Sequence, residues 1–229
     1  MKDLKIRLLP GEGIRYDAED FTVVIIDVLR ATTTIPVLLS LGASEVFTTN
    51  DLKTARSYNG IKVGERKSLK IEGFDYNNSP TALSKANLSG KNVILTTSNG
   101  TKAVEVYSHF KEIITLSFCN FSAVKNFLKN REKILLVCSG SHGEFSLEDF
   151  ICAKMMADYF YSSNNLDILK LADLINVNKD NYFEVCKNSK HAKNLISKGF
   201  EKDVNFSLEM DTLNIIPVYR NGTFKRWAK

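Results

Sequence analysis

Asp27 and Arg30 share one loop, Asp27-Val28-Leu29-Arg30-Ala31-Thr32-Thr33-Thr34, directly after the apolar run Thr22-Val23-Val24-Ile25-Ile26. A carboxylate at the end of a buried strand can hold Mg²⁺ or attack phosphorus. An arginine fork beside it binds phosphate, carboxylate or sulfonate through paired hydrogen bonds. The plain structural use of Asp27 is a helix N-cap or a turn. Aspartyl phosphatases of the haloacid dehalogenase type carry a second aspartate two positions on; Leu29 stands there, so that mechanism lacks its general acid.

The same strand-then-polar-loop form recurs. Val93-Ile94-Leu95-Thr96-Thr97 runs into Ser98-Asn99-Gly100-Thr101, whose hydroxyls, amide and glycine suit phosphate at a helix start. A simple N-cap would use the same residues. Ile134-Leu135-Leu136-Val137-Cys138 runs into Ser139-Gly140-Ser141-His142-Gly143-Glu144, followed by Ser146-Leu147-Glu148-Asp149. Cys-x₅-Arg phosphatases need an arginine where this loop has Glu144, so Cys138 is read as a buried strand residue. His142 is the histidine of a candidate loop and can titrate near neutral pH; His109 and His191 fall in helical stretches and are read as surface or packing residues.

Glu148 and Asp149 stand side by side at a helix start. Ser146-x-x-Asp149 matches a capping box that would absorb Asp149, which leaves Glu148 the better metal ligand or base and Asp149 the second. Glu65 and Arg66 follow Ile61-Lys62-Val63-Gly64 at another strand end; they suit a metal and an anion, or equally a solvated surface pair. Asn78 and Ser79, before Pro80, can donate to an anion or simply begin a helix.

These loops need a scaffold that brings strand ends together. Strand-like runs lie at about 22–26, 46–49, 61–63, 93–97, 113–116, 134–138 and 215–219, with amphipathic stretches of helical length after the three loops. Alternation of this kind predicts an α/β fold, a three-layer α/β/α arrangement around a mostly parallel, mixed sheet. Asn221-Gly222 between two β-type runs predicts a C-terminal hairpin, placed at the sheet edge. Strand ends of a parallel sheet line the crevice where ligands bind, and helix N-termini there favour anions.

Composition sets the outer limits. The 229 residues, 44% hydrophobic and 25% charged, suit one large domain over 1–229, with a lysine- and asparagine-rich, mostly solvated helical excursion at about 164–202. The net charge of +5 comes from scattered lysines, which supports neither nucleic-acid nor membrane binding. No stretch reaches the roughly 18 apolar residues of a membrane span. Cys119, Cys138, Cys152 and Cys186 show no C-x-x-C spacing and read as reduced, buried thiols. The expectation is a cytoplasmic protein, a homo-oligomer by base rate, acting on a small anionic, phosphorylated molecule.

Taken together, Asp27–Thr34, Gly64-Glu65-Arg66, Gly73-Phe74-Asp75 with Asn78-Ser79-Pro80, Thr96–Thr101 and Phe145-Ser146-Leu147-Glu148-Asp149 resemble, in that order, the motifs of the 2-phosphosulfolactate phosphatase (ComB-like) family of coenzyme M biosynthesis. The resemblance covers about residues 20–160. It implies a Mg²⁺-dependent phosphatase that converts (R)-2-phospho-3-sulfolactate to (R)-3-sulfolactate and phosphate. Carried over by motif, Asp27, Glu65, Glu148 and Asp149 would supply metal oxygens. Arg30, Arg66, Asn78, Ser79 and the turn Ser98, Asn99, Gly100, Thr101 would receive the substrate's acidic groups. Asp27, Arg30, Glu148 and His142 would do the chemistry: either a metal-activated water or Asp27 attacks phosphorus, the missing Asp-x-Asp pattern favouring water, with Glu148 or His142 assisting proton transfer. Two other readings stand beside this one: a phosphatase for another small phosphorylated hydroxy acid, and a non-catalytic protein that binds an anionic metabolite.

Overall fold

The computed structural model describes residues 2–11, 20–160, 170 and 177–228. Its strands, in chain order, are β1 (Asp3–Arg7), β2 (Thr22–Ile26), β3 (Glu45–Thr48), β4 (Ile61–Arg66), β5 (Leu69–Lys70), β6 (Asn92–Thr96), β7 (Glu112–Leu116), β8 (Lys133–Cys138), β9 (Pro217–Arg220) and β10 (Thr223–Arg226). Among the described residues they form one sheet in the order β1-β8-β2-β7-β9-β10-β3-β6-β4-β5. β1, β8, β2 and β7 are mutually parallel, as are β3, β6 and β4.

The C-terminal hairpin forms as expected, with Asn221 and Gly222 both at positive φ, as a tight primed turn requires. Its place differs from the expectation. It lies in the middle of the sheet, where β9 pairs antiparallel with β7 and β10 pairs antiparallel with β3. Turn chemistry is local, whereas the partner of each hairpin edge is chosen by long-range packing. Phe224, fully buried, shows how deep that place is.

Because both flanking pairings are antiparallel, the two parallel halves run in opposite directions along the sheet. Neighbouring strands twist by roughly 20–25° each, so the five steps from β2 to β6 turn one half through about 100–125° relative to the other. Strand ends that would lie far apart in a flat sheet are thereby brought together. A Cβ placed on Gly100, just past β6, would come within 2.6 Å of Asp27 Oδ2, just past β2.

Helices cover both faces. α1 (Ala31–Ser40), α3 (Pro80–Leu83) and α4 (Gly100–Tyr107) lie on one side, while α2 (Leu52–Ser57) packs through Ala55 on Ile94, on the other face of β6. α5 (Phe121–Leu128), α6 (Leu147–Ala157), α7 (Tyr182–Lys187), α8 (Lys190–Ser197) and α9 (Glu201–Leu208) lie on the other. The strands alternate accordingly. Val23 and Ile25 pack with Ile35, Leu38 and Ala103, while Val24 and Ile26 pack with Phe121, Phe150 and Ile151. α1 is buried from Ala31 through Leu39 and touches β3, β7, β9 and β10, so the twisted sheet wraps around it. A helix without a single charged residue, with the hydroxyls of Thr32 and Thr33 turned onto the backbone, belongs in such a place.

Two features escaped the sequence pattern. β1 is an edge strand with only Leu4 fully buried, too polar to read as a strand. The segment expected to be solvated packs against the core where it is described, through Cys186, Ala192 and Leu195, with Val204 and Leu208 just beyond it. Its lysines line the outer faces, and averaging composition over all faces hid the apolar stripe. Residues 164–169 and 171–176 of that expectation lie outside the described residues.

Candidate active site

The site is built where β2, β4 and β6 end. Thr32 and Thr33, opening α1, fold back onto the loop before them. Thr32 Oγ1 donates to the Leu116 carbonyl at 2.8 Å and accepts from the Asp27 N–H at 2.9 Å, and Thr33 Oγ1 donates to the Val28 carbonyl at 2.9 Å. These hydroxyls hold the loop backbone so that the Asp27 carboxylate, 4% exposed, faces a small chamber.

Glu65 ties two other loops to the same place. One oxygen accepts from the Ser98 N–H at 2.8 Å and the other from the Ser68 N–H at 2.7 Å. Lys67 and Ser68, the two-residue turn between β4 and β5, both have positive φ, 53° and 73°. That is a type I′ turn made without glycine, and non-glycine residues so placed gather at functional sites. α4 begins beside Asp27 with no side-chain cap. Asn99, which occupies the cap position, instead accepts from the His142 N–H at 3.0 Å, and the Thr101 N–H donates to Thr97 Oγ1 at 3.3 Å, so the remaining N–H groups of the first turn of α4 are the ones that face an anion. Gly100 is required by close approach: a Cβ there would meet Ala31 at 2.5 Å as well as Asp27.

The chamber is thus lined by Asp27, Arg30, Glu65, Asn78, Ser98, Asn99 and His142 from the sequence-derived set, and by Lys67, Ser68, His191 and Leu195 besides. Its volume, about 20 Å³, is room for one or two waters. Arg30 is held at the wall by a buried ion pair, Nη1 to Asp203 Oδ2 at 2.7 Å, with its guanidinium over the Phe200 ring. Asp203 also accepts from Ser79 Oγ at 2.8 Å and from Thr81.

Other residues singled out by sequence lie behind the chamber. Asp149 accepts from the Val28 N–H at 2.9 Å and the Gly140 N–H at 3.2 Å, while Ser146 caps α6. Thr101 bonds back to Thr97, and Arg66 donates to Thr96 Oγ1, the Glu65 carbonyl and the Asn50 carbonyl. Ser79 caps α3.

His191, read from the sequence as a surface or packing residue, is the chamber residue that the sequence did not point to. α8 carries it into the chamber wall with Leu195 one turn on, and its Nδ1 lies 2.9 Å from Glu148 Oε1. The i, i+4 spacing of His191 and Leu195 was the available signal. Asp203, the other partner that the sequence concealed, has no local motif at all.

Acidic groups dominate the electrostatics. Burial, with Glu65 and Glu148 nearby, pushes Asp27 up to about 6, against the opposing pull of His191. Burial also acts on Glu148, but the His191 hydrogen bond and charge prevail and hold it below the ordinary value. Asp149 is raised well above its usual range by burial and by Asp27 and Glu148. Glu148 Oε2 and Asn78 Oδ1 are buried without a hydrogen-bond partner. Hard oxygen donors left open among mutually repelling carboxylates fit a divalent cation. Among the described residues no three His, Cys, Asp or Glu side chains cluster tightly enough to enclose an ion. Mg²⁺ suits such a site, because it binds through one or two carboxylates and takes its other oxygens from water and phosphate.

Residues 9–222 match the family described as 2-phosphosulpholactate phosphatase. The chain belongs to that family. A Thermotoga petrophila protein named probable 2-phosphosulfolactate phosphatase is 44% identical over 89% of this chain and 91% of its own. Proteins of the same name from Clostridium tetani, 34% identical over 90% and 93%, and Caldicellulosiruptor saccharolyticus, 35% identical over 89% and 90%, agree. Family membership thus extends well past the 20–160 span of the motifs and takes in α7, α8 and α9, the helices that bring His191 and Asp203 to the site. No helix among the described residues is long and apolar enough to cross a membrane.

Proposed function

We propose that this chain is a Mg²⁺-dependent phosphatase that hydrolyses (R)-2-phospho-3-sulfolactate to (R)-3-sulfolactate and phosphate, a cytoplasmic step of coenzyme M biosynthesis. The observation that carries the reading is the meeting of Asp27, Glu65 and the start of α4 around one small polar chamber. Asp27 and the open oxygen of Glu148 would hold the ion, which supplies positive charge to the phosphoryl oxygens and acidifies a bound water.

The chain's own groups do the rest. N–H groups of the first turn of α4 and the Lys67 ammonium receive the phosphoryl oxygens. Glu65 fixes both loops that carry those donors. A water oxygen bonds to phosphorus as the bond to the substrate's alcohol oxygen breaks. His142 and His191, the two imidazoles lining the chamber, are placed to pass the proton that the leaving oxygen needs.

The test is phosphate release by the purified protein from 2-phospho-3-sulfolactate, 2-phospholactate and 3-phosphoglycerate, with Mg²⁺ and with EDTA. EDTA-sensitive release from the sulfonate, faster than from the others, is the expected result. Release from the others alone would keep the phosphatase and discard the substrate. Binding without release from any would turn the reading to a metabolite sensor.

A further inference from the structure

Beside the phosphoryl chamber, and sharing His142 and His191 with it, lies a second cavity of about 460 Å³. Its floor is Phe145 and Leu147, and its far wall is the start of α8, with Ser189, Lys190 and Asn194. The small chamber cannot take a whole three-carbon substrate, so the rest of the molecule must lie in adjoining space. This cavity is far larger than a sulfomethyl group requires and falls in the range that houses drug-sized ligands.

Its chemistry is not that of a second anion site. Lys190, its lysine, extends into solvent at the rim, where it pairs with the equally exposed Glu144 at 2.9 Å, and Glu148 lines the same cavity. Phe145 is 50% exposed, yet its ring is steadied by Phe150, with centroids 5.6 Å apart. A fixed, half-bare aromatic ring next to a reaction chamber gains most from an apolar group laid against it.

We propose that this cavity seats a neutral apolar substituent on the carbon that bears the phosphate, so that the substrates include 2-phosphorylated hydroxy acids with aromatic or branched side chains. The proposal rests on the phosphatase reading above and deepens it. The reaction is the same hydrolysis; only the group beside the phosphoester changes. Phe145 and Asn194 set this specificity without touching the phosphoryl group.

The test compares kcat/KM for 2-phospho-3-phenyllactate with that for 2-phospholactate, using the purified full chain and Mg²⁺. The expected ratio is at least one. Asn194→Trp, at an exposed helix position, fills the cavity and lowers that ratio tenfold or more; Phe145→Ser removes the floor and lowers it in the same direction. A ratio below one in the unaltered protein, or one that neither substitution moves, overturns the proposal. Release from 2-phospholactate without release from the phenyl ester defeats this inference alone. Release from no ester, 2-phospho-3-sulfolactate included, defeats the phosphatase reading and this inference with it.

Discussion

At the scale of the residue, Asp27 illustrates a conflict between site and stability. A carboxyl raised to about 6 from its ordinary 3.8 binds its proton more tightly when folded than when unfolded. The stability this contributes is complete below about pH 4 and is lost as pH rises through 6. The loss is on the order of 3 kcal/mol. Asp27→Asn has no such charge to bury. In EDTA, its denaturation midpoint is expected to exceed that of the unaltered protein above pH 6, while phosphate release disappears. Parallel stability curves for the two proteins between pH 4 and 8 would refute this account. A divalent ion reverses the balance, because its charge favours the ionised carboxylate.

At the scale of the element, the β4–β5 turn and α9 make opposite predictions. Ser68 sits at a φ of 73°, a conformation that costs an L-residue roughly 1–2 kcal/mol and glycine almost nothing. Its N–H bond to Glu65 survives a change to glycine. Ser68→Gly should therefore raise the melting temperature by a few degrees; an unchanged or lower value would show that the turn is not strained. Asp203, on α9, is the reverse case. It pairs with the buried Arg30 and accepts from the buried Ser79 and the half-buried Thr81, so Asp203→Ala leaves a guanidinium without its partner. Removing one member of such a pair costs about 3–5 kcal/mol. Chemical denaturation should show that loss, with Asp203→Asn, which keeps most of the hydrogen bonds, losing less.

At the scale of the whole molecule, the hairpin β9–β10 joins two parallel half-sheets that share no other strand pairing in the described sheet. An edge hairpin can be removed with modest loss, but a central one leaves β7 and β3 each with an open edge. Truncation after Ile216 is expected to abolish cooperative unfolding, as followed by circular dichroism, rather than to lower its midpoint. A truncated chain that still melts in one sharp transition would mean that helix packing, α1 against β3 and β7 and α4 against β2, is enough to hold the halves together. The same central position accounts for the site, since the twist accumulated across the hairpin turns the ends of β4 and β6 toward the end of β2.

Whatever depends on near neighbours was legible in the chain. Five-residue β-branched runs made strands, polar loops after them began helices, and Asn221-Gly222 made its turn. The motif loops placed Asp27, Arg30, Glu65, Asn78, Ser98, Asn99 and His142 near strand ends, and those seven do line one chamber. Tertiary structure decided the remainder. It set the hairpin in the middle of the sheet, because edge pairing depends on which strands are left open. It brought His191 and Asp203 from a lysine-rich segment to Glu148 and Arg30, across 43 and 173 residues of sequence. It turned Asp149 away to hold the backbone of Val28 and Gly140. Local pattern reports which face of an element is apolar; only packing fixes which distant side chain meets a buried charge.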